Sequence, residues 1–489
     1  QSWFDDVRLS ALRLPGCTSS FVSADGLMMT NHHCVRGVLD RLNQEGEDLV
    51  QNGFFAKDLT EERKIPNYYA DQLVLIKDVT DEVALAASTG ATSEEKAKNK
   101  EDKIKELTES YKNDTGLTCQ IVSLFNGAKF SLYGYKRYND IRLVFVPDMP
   151  IAYFGGDFDN FTYPRYNLDC AFLRAYENDQ PVNSSENFFQ FSTAGIQEGE
   201  PIFTVGNPGT TQRLKTISQL EYYRDVTYKN NAYMLDTYYN MLEDLKKVEP
   251  ARAAEFEEIK VQIGNSQKVI TTIYKGLTDP YLMARKKDFQ KKLQEAVWNN
   301  SNLKDKYGKV WENIDKTRME MRNYGPKMTA YTFGRLSAQY FNIAQKLFTL
   351  ADELKKSEEE RSPDYKAEKL SETINSIYPK KFDALLENTK LAVQADLISM
   401  NLGSDKVKNL FGGKKGKEAA EFMLKNSVFG SREAVIKLAE SGADNILSSK
   451  DPVLAFVKEA KEQLPQLQKQ SKEVANTEQE FDDMLGRAI

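Results

Sequence analysis

A change of residue pattern near residue 215 divides this chain of 489 residues. Before that point, short apolar runs alternate with turn residues, a pattern typical of antiparallel strands. After it, apolar residues recur every three or four positions among many lysines and glutamates, which is typical of amphipathic helices. A chain of this length exceeds what one hydrophobic core holds and should form two or three domains. The change of pattern therefore predicts a β domain over residues 1–215 and an α-helical domain over residues 216–489.

Two hairpins are indicated in the first part. The stretch SSFVSADGLMMTNHH has apolar runs around Phe21 and Leu27, joined by a turn that contains Asp25-Gly26. In IVSLFNGAKFSLYGY, Asn126-Gly127 supplies residues that tolerate the positive φ of a type I′ turn. Further strands are expected at IRLVFV (141–146), DCAFLRAY (169–176) and PIFTVG (201–206). Strands separated by turns in this way predict an antiparallel barrel or sandwich.

Helical signals are clear in three places. The segment at about 80–112 is charged and rich in helix-favouring residues, which predicts a solvated surface helix inserted in the β domain. In KKFDALLENTKLAVQADLISM the apolar positions form one helical stripe. Near the end of the sequence, Asp451 offers an N-cap and Pro452 suits the first helical position, so a helix is expected to begin there.

The composition argues against several classes of protein. The 66 basic and 72 acidic side chains leave a formal net charge of -6, whereas nucleic-acid binding requires a clustered excess of basic residues. No run of eighteen or more apolar residues occurs, so no membrane-spanning helix is predicted. The first sixteen residues are amphipathic and lack the pattern of a signal peptide. Four cysteines, at positions 17, 34, 119 and 170, fit either disulfides or reduced thiols.

Both histidines of the chain, His32 and His33, stand side by side in TNHHCVRG, directly before Cys34. If this segment is a strand, the two imidazoles point to opposite faces of the sheet and are not expected to serve one site. That expectation weakens a metal site built from these three residues, so we predict neither a metal nor a cofactor. A structural or a surface histidine remains the alternative to a catalytic one.

The motifs of this region resemble those of known peptidases. A G-C-T sequence, a hairpin with Asp-Gly and then T-N-H-H-C are similar to the first barrel of chymotrypsin-like serine proteases. The run more closely resembles peptidase family S46, the bacterial dipeptidyl-peptidases of the DPP7 and DPP11 type. The resemblance continues through NGFFAKDLTEERKIPN, YKRYNDIRLVF and GGDFDNFTYPRYNLDCAFLRAY, and reaches LEYYRDVTYKNNAY in the helical part. It therefore covers nearly the whole chain.

The resemblance implies a role for several residues. His33 corresponds to the general base of the catalytic triad, and Cys34 is expected to pair with Cys17 in a disulfide. The acid that orients the histidine corresponds to Asp169, which precedes a mostly apolar strand. Four other aspartates are nearby in the sequence and are its rivals: Asp140, Asp148, Asp157 and Asp159. Asp169 is preferred to these four because the strand that directly follows it is of the protease type that the resemblance implies.

The family also implies a site for the free α-amino group of the substrate. Asn160 matches an asparagine that contacts this amine, and Phe161 stands where the family usually has tryptophan. Asn265, in the helical part, is a further candidate for substrate binding. Anchoring the amine at a fixed distance from the nucleophile would present the second peptide bond for cleavage and so release dipeptides. Acidic and hydrophobic penultimate residues both remain possible substrates.

The nucleophilic serine is missing from the sequence. Serine proteases of this class carry it in a loop of the type G-D-S-G, and no such loop occurs in the 489 residues. We expect that a second barrel with the serine lies outside this chain, which alone would be inactive. The alternative is a non-catalytic peptide-binding or structural subunit of an outer-membrane or periplasmic assembly. The resemblance further implies a homodimer in the periplasm or at the cell surface of a Gram-negative bacterium.

Overall fold

A computed structural model describes residues 2–153, 162–207 and 212–489 of the chain. Two compact units are present, one formed by Gln1–Leu214 with Asp482–Ile489 and the other by Lys215–Phe481. An antiparallel sheet dominates the first unit, and helices make up the second. Among the described residues, no helix combines the length and the apolar content that crossing a bilayer requires.

The strands of the first unit form one sheet with the order β4-β9-β10-β3-β2-β1-β6-β8-β7, and β5 and β11 pair with β9 and β10. Every pairing between these strands is antiparallel. The strands are β1 (Ala11–Leu14), β2 (Cys17–Phe21), β3 (Leu27–Thr30), β4 (Phe54–Phe55), β5 (Arg63–Lys64), β6 (Ala70–Asp78), β7 (Thr118–Leu124), β8 (Lys129–Tyr138), β9 (Asp140–Val146), β10 (Ala171–Glu177) and β11 (Gln180–Pro181). The helices of this unit are Ser2–Ser10, His32–Leu39, Leu49–Asn52, Thr80–Ser88, Ser93–Thr115 and Met149–Ala152.

Both predicted hairpins are confirmed. Strands β2 and β3 pair through Phe21 and Met28, around the turn with Asp25-Gly26. The second hairpin joins β7 to β8, where Leu124 pairs with Lys129. Its loop is longer than the predicted two-residue turn. Phe125, the residue before Asn126-Gly127, also has positive φ.

The prediction of a strand at residues 201–206 is wrong. No strand is assigned there, and Ile202 and Phe203 expose 74% and 71% of their surface. A strand needs a neighbour that satisfies its backbone N–H and C=O groups. Strand β10 has the same apolar character and pairs with β3 and β9 on its two sides, whereas no described strand pairs with residues 201–206.

The charged segment at about 80–112 forms two helices, Thr80–Ser88 and Ser93–Thr115. The longer helix has no buried residue and begins with a capping box, in which the Thr92 hydroxyl accepts a hydrogen bond from the N–H of Glu95. Its partly buried apolar side chains, which include Ile104 and Leu107, pack on a small core around Val83. The two helices are therefore largely solvated and attached along one side.

The second unit consists of helices, which are Ile217–Tyr222, Tyr228–Val248, Ala253–Thr278, Pro280–Trp298, Ser301–Tyr307, Val310–Tyr331, Gln339–Leu354, Ala367–Ile377, Ala384–Leu402, Lys408–Phe411, Gly416–Lys425, Arg432–Glu440, Ala443–Ser448 and Pro452–Arg487. The predicted start of the last helix is confirmed, because Asp451 Oδ1 accepts hydrogen bonds from the N–H groups of Val453 and Leu454. A large core of this unit includes Tyr331 and Phe341, which are fully buried.

Residues 482–489 group with the first unit, whereas the sequence pattern assigned them to the helical part. The Asn126 side chain donates a hydrogen bond to the carbonyl oxygen of Asp482, and Lys100 forms an ion pair with Asp483. Helical periodicity continues through this segment and carries no information on which core the helix end contacts.

Candidate active site

Strand register brings His33 and Asp169 together although 136 residues separate them. Strands β3 and β10 are antiparallel, and Thr30 at the end of β3 pairs with Ala171 at the start of β10. The residues that follow Thr30 and those that precede Ala171 therefore leave the same edge of the sheet. His33 Nδ1 lies 2.8 Å from Asp169 Oδ2 at this edge.

The sequence pattern suggested that the two histidines lie on a strand, and this is wrong. They form the first turn of the helix His32–Leu39, with Asn31 in extended conformation at its N-cap. Consecutive side chains of a helix point about 100° apart, so the two imidazoles still diverge. His32 is 3% exposed, whereas the side chain of His33 is 60% exposed.

Three further contacts fix the Asp169 carboxylate, and a fourth holds its backbone carbonyl group. The backbone N–H of His33 donates to Asp169 Oδ1 at 3.1 Å. Asn31 Nδ2 donates to Asp169 Oδ2 at 3.2 Å and to the carbonyl oxygen of Asp169 at 3.0 Å. The Arg165 guanidinium lies 3.6 Å from Oδ2. The side chain of Asp169 is only 11% exposed, so these donors replace much of the water that a carboxylate would otherwise bind.

The electrostatics of the pair favour one tautomer of His33. Burial alone would raise the pKa of Asp169, but the hydrogen bonds from His33 and the positive charge of Arg165 lower this pKa below its ordinary value. The carboxylate is therefore ionised at neutral pH and only accepts hydrogen bonds. In neutral His33 the proton must then be on Nδ1, which leaves a lone pair on Nε2. An exposed imidazole in this state can accept a proton from a neighbouring group.

A disulfide joins Cys17 to Cys34, the residue that follows His33. It connects the first residue of β2 to the first turn of the helix His32–Leu39. The Tyr68 hydroxyl also donates a hydrogen bond to the carbonyl oxygen of Cys34, at 3.2 Å. These contacts hold the backbone of His33 against the sheet. Cys119 and Cys170 are free thiols and do not pair with each other.

His32 has different surroundings. Its Nε2 atom is buried and has no hydrogen-bond partner within the described part of the chain. Burial lowers the pKa of His32 below its ordinary value, and the charges of Arg36 and His33 act in the same direction. The charge of Asp169 opposes this shift without reversing it. His32 is therefore neutral at physiological pH.

A cavity of about 390 Å³ adjoins the pair, and both Asn31 and Asp169 line it. Its apolar wall includes Met29 and Phe191, which expose 37% and 66% of their surface. The cavity therefore combines a carboxylate edge with apolar side chains that remain open to solvent.

The rival aspartates that the structure describes have other partners. Asp140 pairs with Lys64 and Arg142, and Asp148 accepts the N–H of Ile151 at a helix start. Asp157 and Asp159 lie outside the described residues. Of these described aspartates and Asp169, only Asp169 contacts His33.

The roles of the predicted substrate-binding residues stay predictions. Asn160 and Phe161 lie outside the described residues. Asn265 is exposed on the helix Ala253–Thr278 of the second unit. Its role in substrate binding stays a prediction.

Two contacts of Asp169 were missed in the sequence. Asn31 precedes the histidine pair, and its position at a strand-to-helix turn was a usable signal, because asparagine is common at N-caps. Arg165 gave no signal, since only the folded chain brings its guanidinium near Asp169.

A metal site was the weakest interpretation of the histidine pair. Potential ligand atoms of Cys17, His33 and Cys34 do lie within 4.8 Å of one another. The two sulfur atoms are joined in the disulfide, however, and metal ions bind the thiolate form of cysteine. His32, the remaining member of the proposed set, is buried. These residues in their observed bonding state therefore do not offer the ligands that this interpretation requires.

Comparisons with known proteins give one family over the whole chain. A family model described as Peptidase S46 matches residues 1–489. A dipeptidyl-peptidase 7 of Capnocytophaga gingivalis is 24% identical over 459 residues, which are 90% of this chain and 63% of that protein. An Asp/Glu-specific dipeptidyl-peptidase of the same species is 27% identical over 319 residues, which are 63% of this chain and 45% of that protein. The matches thus span about half to two thirds of these relatives' lengths.

A solved structure shares the fold. The crystal structure of Porphyromonas endodontalis DPP11 superposes with a TM-score of 0.75 at 16% identity and covers 99% of this chain and 71% of that one. A structure of the same protein in complex with the dipeptide Arg-Glu superposes with a TM-score of 0.67. At this identity the likeness concerns the fold alone.

Proposed function

The chain belongs to the peptidase S46 family, and from this premise we propose that it supplies the histidine and the aspartate of the catalytic triad of a serine-type dipeptidyl-peptidase. The single observation that carries this proposal is the contact of 2.8 Å between His33 Nδ1 and the ionised Asp169. This geometry suits the histidine and aspartate of a catalytic triad, in which the acid orients the imidazole and stabilises its protonated form.

The proposed reaction is hydrolysis through a covalent acyl-enzyme. A serine hydroxyl attacks the carbonyl carbon of the scissile peptide bond while His33 Nε2 takes its proton. The imidazolium that results donates this proton to the leaving amine, and the C–N bond breaks. Water then attacks the ester with His33 again as base, which releases the dipeptide and restores the serine. Asp169 stays ionised throughout and stabilises the positive charge on His33.

The antiparallel sheet is proposed to be the first of two chymotrypsin-like barrels, with the helical unit inserted between them as a cap. The serine would then come from the second barrel, outside the 489 residues. Exposed apolar side chains on the first unit support this proposal, because Phe191 beside Asp169 and Phe203 expose 66% and 71% of their surface. Soluble proteins rarely leave such patches without a partner surface.

The substrates are proposed to be peptides with a free N-terminus. Asn160, Phe161 and Asn265 would bind the α-amino group, which limits cleavage to the second peptide bond. The names of the relatives support dipeptide release, and those relatives include both an Asp/Glu-specific enzyme and dipeptidyl-peptidase 7. The proposal includes both acidic and hydrophobic residues before the cleaved bond.

The proposed setting is the periplasm or the surface of a Gram-negative cell, where a homodimer would act on peptides. The disulfide between Cys17 and Cys34 supports an oxidising compartment, because such bonds rarely persist in the cytosol. Fractionation of the native cells followed by immunoblotting tests the location. Recovery of the protein with the cytosolic fraction would contradict it.

The test of the proposed function uses the protein as its gene encodes it. We expect cleavage of Leu-Asp-β-naphthylamide or Leu-Leu-β-naphthylamide, loss of cleavage when the substrate amine is acetylated, and labelling by a fluorophosphonate. The substitution His33→Ala should abolish both cleavage and labelling. Cleavage that survives this substitution would refute the role of His33.

The alternative is a peptide-binding subunit without catalytic activity, and the absence of a G-D-S-G type loop from the sequence favours it. The two proposals differ in one result. A binding subunit would retain peptides that have a free N-terminus and would show neither hydrolysis nor labelling by the fluorophosphonate, with or without His33.

A further inference from the structure

A second cavity, of about 440 Å³, lies within the helical unit. It is formed by the helices Tyr228–Val248 and Ala384–Leu402, the end of the helix Val310–Tyr331 and the loop that follows it. Its volume is in the range of sites that hold small molecules. The cavity lies entirely among residues of one unit, so its shape depends on that unit alone.

The floor of this cavity is apolar. Met234 and Met328 line it, together with Val393, Leu397 and Ile398 of the helix Ala384–Leu402. The last three are buried, with exposures of 3%, 8% and 1%. Methionine side chains adapt their shape to different apolar ligands. This part of the cavity suits a branched aliphatic group.

Two buried polar side chains that line the cavity have groups without a partner in the described chain. Gln394 is 7% exposed, and its Oε1 accepts the N–H of Ala338, but no acceptor receives the hydrogens of its Nε2. Tyr238 is 3% exposed, and its hydroxyl makes no hydrogen bond within the described residues. Neither of these two atoms is fully enclosed, so both can form hydrogen bonds with water or with a ligand in the cavity.

The charged residues that line the cavity are both cations. Arg335, in the loop after Val310–Tyr331, is exposed and has no ion pair or hydrogen bond in the described part of the chain. Lys390 pairs with the buried Glu387, at 2.8 Å from its Oε1. The positive charge of Lys390 is thus neutralised, whereas that of Arg335 is not. A guanidinium without a partner beside an apolar cavity favours a carboxylate, which it can bind with two hydrogen bonds.

We propose that this cavity binds a small ligand that has a carboxylate on an apolar body, with Arg335 as the anchor of the carboxylate. The aliphatic part would contact Met234, Met328 and Val393, and Gln394 and Tyr238 would donate hydrogen bonds to its polar atoms. A hydrophobic dipeptide with a free C-terminus and a medium-chain fatty acid both have this chemistry. The proposal does not depend on the peptidase function, because it concerns binding to the helical unit only.

The test measures binding to the full protein with 13C-methyl-labelled methionine. Leucyl-leucine, leucyl-leucine amide and octanoate are titrated separately, and the methyl signals of Met234 and Met328, assigned through Met→Leu variants, report on the cavity. We expect saturable shifts of these two signals with a carboxylate ligand and binding weaker by about tenfold or more with the amide, since the charge-assisted hydrogen bonds are lost. Binding of leucyl-leucine would identify a peptide as the source of the ligand, and binding of octanoate alone would identify a fatty acid.

The matched variants are Arg335→Ala and Arg285→Ala. Arg285 is also an exposed arginine of the second unit without an ion pair among the described residues, but it does not line the cavity. Arg335→Ala should weaken carboxylate binding about tenfold or more, while Arg285→Ala should leave it unchanged. The methyl signals that do not respond to ligand check that both variants are folded. Equal affinity for the acid and the amide, equal affinity of the two variants, or no shift at Met234 and Met328 would overturn the proposal.

Discussion

Two neighbouring histidines at the start of the helix His32–Leu39 have opposite surroundings. His32 is buried within the first unit, lacks a partner for Nε2 among the described residues, and has a pKa that burial lowers. His33 is exposed, and its Nδ1 contacts an ionised carboxylate. One position along the chain therefore changes an imidazole from a neutral core group into a candidate base. Its contacts, and not its residue type, decide what each histidine can do.

The largest expected effect concerns the acid that makes His33 different. Asp169→Asn replaces an acceptor with an amide that can donate to Nδ1, so it should favour the wrong tautomer of His33. In the protein as its gene encodes it, we expect kcat for dipeptidyl-naphthylamides to fall about 10⁴-fold, as for the corresponding change in other triads.

The matched control for that substitution is Asp140→Asn. Asp140 is also a half-buried carboxylate of the first unit, but its partners are Lys64 and Arg142. It should retain a kcat close to that of the unsubstituted protein. Equal losses in the two variants would show that Asp169 acts through stability alone.

The next largest effect is expected from removing the disulfide that attaches the start of the helix His32–Leu39 to β2. The Cys17–Cys34 disulfide closes a loop with a sequence separation of 17, so removing it should lower the free energy of unfolding of the first unit by about 3 kcal/mol. Hydrogen exchange of β2 and β3 in the double variant Cys17→Ala/Cys34→Ala measures this loss. Cys119→Ala removes a free thiol of the same unit and should show little of it.

A smaller effect is expected from Asn31→Ala. Asn31 donates hydrogen bonds to the carboxylate and to the carbonyl group of Asp169, and a hydrogen bond to a charged group contributes about 1.5–3 kcal/mol. We therefore expect kcat to fall about tenfold to a hundredfold and the pKa of Asp169 to rise, because the ionised carboxylate loses a donor. Asn31→Asp would place a like charge beside Asp169 and should be worse than alanine. An alanine variant with an unchanged kcat would show that Asn31 does not position Asp169.

The smallest effect is expected from His32, the buried histidine, on the pH dependence of stability. Because the pKa of His32 is lowered in the folded state, the unfolded chain binds a proton first as the pH falls below about 6.5. Folded stability that is present above this pH should therefore decrease between pH 7 and pH 5. In His32→Leu this decrease should be smaller, and in His33→Gln, which keeps His32, it should persist. Thermal melting at the two pH values makes the comparison, and an unchanged pH dependence in His32→Leu would contradict it.

Local pattern was sufficient where one element decides the structure. The hairpins around Asp25-Gly26 and Asn126-Gly127 and the helix start at Pro452 depend on turn and cap residues that the sequence displays directly. Alternation failed at residues 201–206, because a strand requires a partner and the partner is not encoded in the segment itself. It failed again at His32–Leu39, because β3 ends at Thr30 and the two histidines begin a helix.

The pairing of His33 with Asp169 could be expected only from resemblance to a family. Nothing local links two residues that are 136 positions apart, since their contact depends on the register of β3 and β10. The same limit applies to Arg165, and to the cavity in the helical unit, which is built by residues from three separate segments.

The most direct test of the difference between the two histidines is 15N NMR of the imidazoles, because the chain has only two. His32→Leu assigns the remaining signals to His33. The account predicts that neutral His33 has its proton on Nδ1 and that the 1H resonance of this proton is strongly downfield. Asp169→Asn should move the proton to Nε2, whereas Asp140→Asn should not. A proton on Nε2 in the unsubstituted protein, or a tautomer that is unaffected by Asp169→Asn, would contradict the claim that Asp169 orients His33 as the base.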